Sequence, residues 1–448
     1  MISVLTIAGS DSGGGAGIQA DLLTIGALGA HGLSVIVALT AQNTFEVKAV
    51  RGVEVDFIKK QLEAVFEDFS VQAVKTGMLW DKEVIEAVSS SLKKYEVKNL
   101  VVDPVMVAKS GNRLLKEEAV LALKEKLFPL AKVITPNLPE AEALLGFEVR
   151  KKEEMLQAGK MLLELGPQAV IIKGGHLEDE PWDLLVFSDG YLWLKGERIP
   201  WEAHGTGCSF SAALATFLGM GYELQEAALR AKRFIQEGIR MAKSVGRGFK
   251  VVDPLASLKK EASRWEVIKS LKEAYCKLES VASNAIIPEV GSNLVYALEG
   301  ARDEDEVAGF EGRIVKVRKG FKRVGEISFG ASRHMARLVL EVMRFYPFLR
   351  SVMNIRYDPI FIERGEKKGF KIFSVDRKKE PEDVKREEGA SLKWVVREVL
   401  KEAQEVPDII YDEGDVGKEP MIRVLGKNPQ EVVDKVLELL GEGEWKLK

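Results

Sequence analysis

Two α/β domains in tandem are what this sequence predicts, on three observations. Apolar runs of strand length alternate with amphipathic runs of helix length up to about residue 250, the rhythm breaks over VVDPLASLKKEASRW, and a new set of strands and helices follows from Trp265. With 448 residues, 46% of them hydrophobic, the chain can bury more than one core, since domains average about 150 residues.

In chain order the strand candidates of the first half are ISVLTIAG, LSVIVALTA, QAVKTGML, NLVVDPVM, AKVITPN and QAVIIKGG. Between most of them lie VDFIKKQLEAVFEDF, EVIEAVSSSLKKY and EEAVLALKEKLFPLA, whose apolar residues recur at helical spacing. Strand, helix, strand in this order implies a mostly parallel sheet covered by helices on both faces. A boundary is expected near Ser257, giving a first domain over 1–257, a linker over 258–264 and a second domain over 265–448 that opens with the helix WEVIKSLKEAYCKLESV. The second domain again mixes strands (GRIVKVR, VMNIRYD, GFKIFSVD, PMIRVLG) with helices (ASRHMARLVLEVMRF, LKWVVREVLKEAQ, QEVVDKVLELLG), so it too reads as α/β.

Charge and cysteine content exclude several classes. The balance of 65 basic and 68 acidic residues, a net charge of −3, gives no global attraction to nucleic acid or membrane. The first basic residue is Lys48, so the N-terminus lacks the positive region of a secretory signal, no apolar run reaches the roughly 18 residues of a membrane span, and a cytoplasmic chain is expected. Cys208 and Cys276 lie too far apart for a disulfide framework or a CxxC metal site.

Two glycine-rich stretches carry the chemistry. In DSGGGAGIQAD, Gly15 to Ala20 fits the GxGxxA dinucleotide pattern, but the second strand ends LTAQN without the acidic residue that pattern needs, and no Lys-Ser/Thr follows for a P-loop. Two readings remain: a strand-to-helix turn that needs small residues, or a flat ligand lying on bare backbone with Ser10, Asp11, Ser12 and Asp21 at its edge. In His204-Gly-Thr-Gly-Cys208-Ser209, the amides of residues 205 to 208 open an apolar helix, where orphan donors and the helix dipole bind anions. Cys208 at that terminus is expected to have a lowered thiol pKa and to serve as a base, the alternative being a buried structural thiol.

The second domain offers six basic residues in eleven between Arg313 and Arg323, which suits nucleic acid, phosphorylated small molecules or a solvated hairpin edge. Just beyond it, Ser332, Arg333 and His334 fall in the first turn of a predicted helix, again an anion-friendly end.

TIAGSDSGGGAGIQAD, ALTAQNT, VKTGML, VVDPVM, TPNLPEAE, KGGH and HGTGC, in this order and spacing, resemble the hydroxymethylpyrimidine/phosphomethylpyrimidine kinases of thiamine biosynthesis, within the ribokinase-like superfamily, over residues 1 to about 255. The resemblance implies a three-layer α/β/α domain that phosphorylates 4-amino-5-hydroxymethyl-2-methylpyrimidine twice, with ATP as cosubstrate and Mg²⁺. It places the pyrimidine over Gly9 and Ala16, with Gln42 pairing to its amine edge, Met78 and Val105 as apolar walls and Asp21 beside it. Asp103 and Glu140 would hold magnesium, Asn137, Lys173, Gly205, Thr206 and Gly207 the nucleotide phosphates, and Cys208 stands where the wider superfamily carries a catalytic Asp. Glu140 also reads as the capping glutamate of a helix behind Asn137.

PEVGSNLVYAL, EGRIVKV, FGASRHMAR, NIRYDP and YDEGDVGKEPMIRVLG resemble the ThiN-type thiamine-phosphate synthase domain found fused behind this kinase, over roughly 265 to 445. Arg313 and His334 match its arginine and histidine, which related ligand-sensing domains of transcription regulators lack. The resemblance implies condensation of the pyrimidine diphosphate with 4-methyl-5-(2-phosphoethyl)thiazole, with a non-catalytic sensing domain as the alternative. The expected partners are these small molecules, with neither nucleic acid nor membrane among them, and a homo-oligomer is expected.

Overall fold

Nine strands form one sheet in the N-terminal part of the computed structural model: β1 (Ser3–Asp11), β2 (His31–Gln42), β3 (Val47–Gly52), β4 (Val71–Thr76), β5 (Leu100–Val102), β6 (Val133–Ile134), β7 (Ala169–Ile172), β8 (Asp183–Phe187) and β9 (Gly190–Leu194). Their order is β3-β2-β1-β4-β5-β6-β7-β8-β9. From β2 to β7 neighbours run parallel, while β3, β8 and β9 are antiparallel additions at the two edges. The structure describes residues 1–106, 117–175, 177, 180–381, 384, 390–402, 405–415 and 417–441; His176 of the KGGH motif lies outside them.

Alternation along the strands builds two cores. Leu5, Ile7, Val74, Val102, Ile134 and Ile172 face one side, under helices Val55–Asp68, Lys82–Lys94, Leu138–Leu145 and Lys152–Leu163. Val4, Ala73, Val101, Val133 and Ile171 face the other, under Gly17–Ala27, Thr206–Gly219 and Leu224–Arg240. This is the expected three-layer α/β/α arrangement, and it directs the carboxyl ends of β1, β2, β4, β5, β6 and β7 to one rim, where ligands of open parallel sheets bind. A two-stranded piece, β10 (Ala203–His204) with β11 (Lys250–Val251), carries the HGTGC turn.

The chain divides into two compact units, Met1–Leu258 and Lys259–Lys448. The helix expected to begin at Trp265 begins at Ala256 and runs to Val281, so residues 258–264 are helical. The sequence from Leu255 to Val281 holds no glycine or proline, and its charged opening forms a solvated helical face, with Lys260 paired to Glu306 and Arg264 to Glu261.

The C-terminal unit has strands β12 (Leu294–Ala297), β13 (Val307–Phe310), β14 (Ile314–Lys316), β15 (Phe321–Arg323), β16 (Ile327–Phe329), β17 (Ser351–Arg356), β18 (Ile372–Ser374), β19 (Ile409–Asp412) and β20 (Met421–Gly426). Seven of them form the sheet β16-β13-β12-β17-β20-β19-β18, antiparallel except between β18 and β19. Helices Ala256–Val281 and Pro429–Leu440 cover one face, Arg333–Phe345 and Ala390–Glu402 the other. The basic run is a hairpin, β14 against β15, with Ile314 and Phe321 buried and most of its charges in solvent.

Candidate active sites

At the carboxyl rim of the first sheet lies a cavity of about 490 Å³. Its lining brings together Gly9, Ala16, Gln42, Met78, Val105, Asp103, Asn137, Glu140, Lys173, Gly205, Thr206, Gly207 and Cys208, all predicted as site residues and drawn from separate strand ends and three helix starts. Asp21 is not among them. It is fully buried behind the wall, where its Oδ2 accepts from Lys75 Nζ at 2.7 Å and Thr6 Oγ1 at 2.6 Å. Lys75, fully buried in turn, lines the cavity. Burial works against its charge, but Asp21 first, with Asp103 adding, outweighs that and keeps the ammonium protonated, so the pair is ionised.

The glycine loop proves to be packed by its own chain. Asp11, at the end of β1, accepts hydrogen bonds from the amides of Gly13 (2.8 Å), Gly15 (3.0 Å) and Ala16 (2.8 Å), and meets His204 Nε2 at 3.3 Å. Burial opposes the charge of Asp11, and the His204 and amide contacts more than offset it, holding the carboxyl below its ordinary range. A Cβ on Gly15 would stand 2.5 Å from His204 Cδ2, and one on Gly205, at φ +86°, would stand 2.0 Å from the Gly15 carbonyl oxygen. The small residues are therefore needed first for the closure of one loop on the other. Gln42 Nε2 lies 3.1 Å from the same His204 nitrogen.

Across the cavity Asp103 is buried and bonded to Lys173 Nζ (2.8 Å) and Ser211 Oγ (3.2 Å). Glu140 and Asn137 form a reciprocal capping box at 2.8 Å each way, so the capping role and the cavity-lining position coexist. Burial, with Asp103 adding and Lys173 opposing, raises the Glu140 carboxyl to about 7. Among the described residues no group of three or more His, Cys, Asp or Glu is arranged to hold a metal. Cys208 departs from expectation. Burial pushes its thiol up to about 11 although Lys75 and the Gly17 amide pull the other way, so the helix terminus does not prevail and the resting thiol is protonated. A second cavity of about 590 Å³ shares Asn137, Lys173, Thr206 and Gly207 with the first and extends along Trp201, Lys232, Ile235 and Ile239.

The C-terminal unit holds a cavity of about 590 Å³ that unites Arg313 and His334, together with Ser292, Arg333 and Arg423. Arg313 sits at φ +74°, a strained backbone for a non-glycine residue, and its Nη1 donates to the Val290 carbonyl. His334 is open to the cavity; partial burial and then Arg423, Arg313, Arg377 and Arg337 lower its pKa, so it is neutral at rest amid cations.

Residues 11–253 match the family model for phosphomethylpyrimidine kinase, and 270–438 that for thiamine-phosphate synthase ThiN. The bifunctional thiamine biosynthesis protein ThiDN of Methanocaldococcus jannaschii is 35% identical over 434 residues, 97% of each chain. The chain belongs to the phosphomethylpyrimidine kinase family. The bifunctional protein ThiED of Geobacter sulfurreducens is 50% identical over 248 residues, 55% of this chain, which there spans about half (51%) of the relative's length. A crystal structure of Bacillus subtilis pyridoxal kinase in complex with ADP is 38% identical with a TM-score of 0.54, covering 58% of this chain and 99% of that one. The kinase-family match is thus followed along the chain by the ThiN match.

Sequence reasoning gave Lys75, His204 and Arg423 no role in either site, and Asp11 only a place at a ligand's edge rather than as the clasp of the glycine loop. For two of them a signal was present. Lys75 interrupts an apolar strand of a sheet buried on both faces, and Arg423 does the same in MIRVLG; a charged residue in such a place needs a partner.

Proposed function

We propose that the chain makes thiamine phosphate in two stages. The N-terminal unit transfers phosphate from ATP to the hydroxyl of 4-amino-5-hydroxymethyl-2-methylpyrimidine and then to the resulting phosphate. The C-terminal unit condenses the diphosphate with 4-methyl-5-(2-phosphoethyl)thiazole. The observation that carries this reading is the likeness to ThiDN along nearly the whole of both chains, with each motif set gathered around a cavity of its own.

In the kinase reading the pyrimidine lies over Gly9 and Ala16 between Met78 and Val105, with the Gln42 amide toward its amine edge. The nucleotide occupies the adjoining cavity along Trp201 and Lys232, which brings its phosphates to Lys173, Asn137 and the amides of Gly205, Thr206 and Gly207. Asp103 and Glu140, two carboxylates on one wall, fit an ion that takes one or two carboxylates plus phosphates and water, and Mg²⁺ held there would neutralise charge on the transferring group. Cys208 accepts the substrate proton as the phosphate is transferred, which from a thiol near 11 requires prior deprotonation. In the synthase reading Arg313 forks onto phosphate oxygens and neutral His334 donates a hydrogen bond to the departing diphosphate, whose negative charge draws the imidazole toward protonation. Both stages use water-soluble phosphorylated substrates, which fits a cytoplasmic protein, and we expect a homo-oligomer.

The test supplies hydroxymethylpyrimidine, Mg-ATP and thiazole phosphate to the purified chain and looks for thiamine phosphate. Formation of the diphosphate without thiamine phosphate would leave the kinase and remove the synthase.

A further inference from the structure

The cationic wall of the C-terminal cavity contains more than Arg313 and His334. Arg423, on β20, is 4% exposed, yet it lines the cavity. Its Nη1 donates to Asp412 Oδ2 at 2.7 Å, and Arg377 Nε approaches that same oxygen at 3.3 Å, while the other oxygen of Asp412 accepts from the Gly414 amide at 3.1 Å. Arg377 also meets Glu380 at 3.2 Å, and Glu380 is shared with Lys418 at 2.8 Å. The four buried members, Arg377, Arg423, Asp412 and Glu380, balance one another, and Lys418 adds a partly exposed cation; the cavity lining itself carries Arg313, Arg333 and Arg423 and, among the described residues, no carboxylate. A buried ion pair is tolerated when its charges balance, and a surplus charge is costly. Burial pushes the Arg423 guanidinium's pKa down, Asp412 pulls it back and Arg377 pushes again.

A second observation lies in the same cavity. Ser292 lines it, is fully buried, and its Oγ has no hydrogen-bond partner. Buried hydroxyls are nearly always paired, so an orphan hydroxyl in a cavity lined by guanidinium groups and by no described carboxylate marks a place for an oxyanion.

We propose that Arg423 binds phosphate oxygens of a synthase substrate directly, with Ser292 donating beside it, and that Asp412 and Arg377 are positioning residues that fix its guanidinium. The proposal rests on the synthase reading of this unit. The phosphate comes either from the pyrimidine diphosphate or from the thiazole phosphate, and the two are separable by experiment.

The full chain is compared with its Arg423→Met and Ser292→Ala variants by calorimetric titration of inorganic pyrophosphate and of thiazole phosphate, and by steady-state synthase kinetics from preformed pyrimidine diphosphate. Arg377 remains to pair with Asp412 when Arg423 is removed, so the Met variant should fold, as a thermal melt will show. If it melts below the assay temperature, Arg423→Gln, which keeps a donor toward Asp412, replaces it under the same criteria. Arg423→Met is expected to weaken one phosphate probe by roughly tenfold or more and to raise KM for the matching substrate by a similar factor, with the other KM little changed. Ser292→Ala should weaken the same probe by about threefold to tenfold. Loss with pyrophosphate assigns the diphosphate; loss with thiazole phosphate assigns the other substrate. Affinities and KM values equal to those of the parent in the Arg423 variant would overturn the proposal and leave the synthase reading standing. If the parent makes no thiamine phosphate, the synthase reading fails, and the pyrophosphate titration still decides whether Arg423 belongs to an anion site.

Discussion

The cavity at the carboxyl rim of the first sheet and the cavity of the C-terminal unit handle charge in opposite ways. Around the kinase cavity acids and bases come in pairs: Asp103 with Lys173 and Asp11 with His204 on the lining, and Lys75 on the lining with Asp21 behind it. In the C-terminal cavity the described charges are mostly positive, with Arg313, Arg333 and Arg423 on the lining. The difference follows from what each reaction brings with it. In the proposed kinase stage the nucleotide would arrive with magnesium, so a balanced wall suffices and catalysis comes from positioning. A diphosphate leaving a carbon centre needs cations from the protein itself.

The largest expected effect breaks the cationic side. Arg313→Ala and His334→Ala should each abolish most thiamine phosphate formation from preformed pyrimidine diphosphate, while ATP consumption with hydroxymethylpyrimidine continues at the parent rate. Equal loss of both activities would mean that the two sites are not separable. Next comes Cys208→Ala, expected to lower kinase turnover by roughly 100-fold, the scale of a positioned base. Because the thiol lies near 11, its thiolate fraction grows about tenfold per pH unit below that value, so turnover should climb between pH 7 and 9. A flat profile would hand the proton to another group.

A smaller effect is expected at the substrate floor. Gln42→Leu should cost about 1 to 3 kcal/mol in pyrimidine binding with ATP affinity unchanged, since it leaves polar groups of the ring unmatched. An unaltered KM for hydroxymethylpyrimidine removes Gln42 from recognition. The smallest concerns balance itself. Glu140 ionises near 7 in the folded chain against an ordinary 4.5, so the folded state holds the proton longer than the unfolded one, and stability falls as pH rises from about 4.5 through about 7. Glu140→Gln keeps a cap for the Asn137 amide but removes that loss. Without magnesium its melting temperature should exceed the parent's by on the order of a few degrees at pH 8 and match it near pH 4.5. The same difference at both values would mean that the carboxyl titrates normally.

What the sequence made legible was whatever repeats along the chain. Alternating apolar runs predicted the α/β layers, and the motif order placed thirteen lining residues of the kinase cavity. What escaped it depends on neighbours distant in sequence. The thiol of Cys208 was expected to follow its helix terminus, but burial decides its pKa. Asp21, read as a ligand contact because it closes a glycine motif, points inward to Lys75, 54 residues away. The stretch 258–264 reads as a linker because the strand–helix rhythm breaks there, yet it lies within one helix that runs from Ala256 to Val281.

The clasp of Asp11 on His204 joins residues 193 positions apart. A ribosome delivers the floor of the kinase cavity among the first residues it makes, yet that floor cannot be held shut until the HGTGC turn has emerged. The glycine loop must wait, open, through most of the synthesis of its own domain, and long-range closure of this kind is slow to form. The kinase site should therefore be among the last features of the N-terminal unit to mature during translation, and a nascent chain halted before residue 204 should bind no pyrimidine even though most of its sheet is already in place.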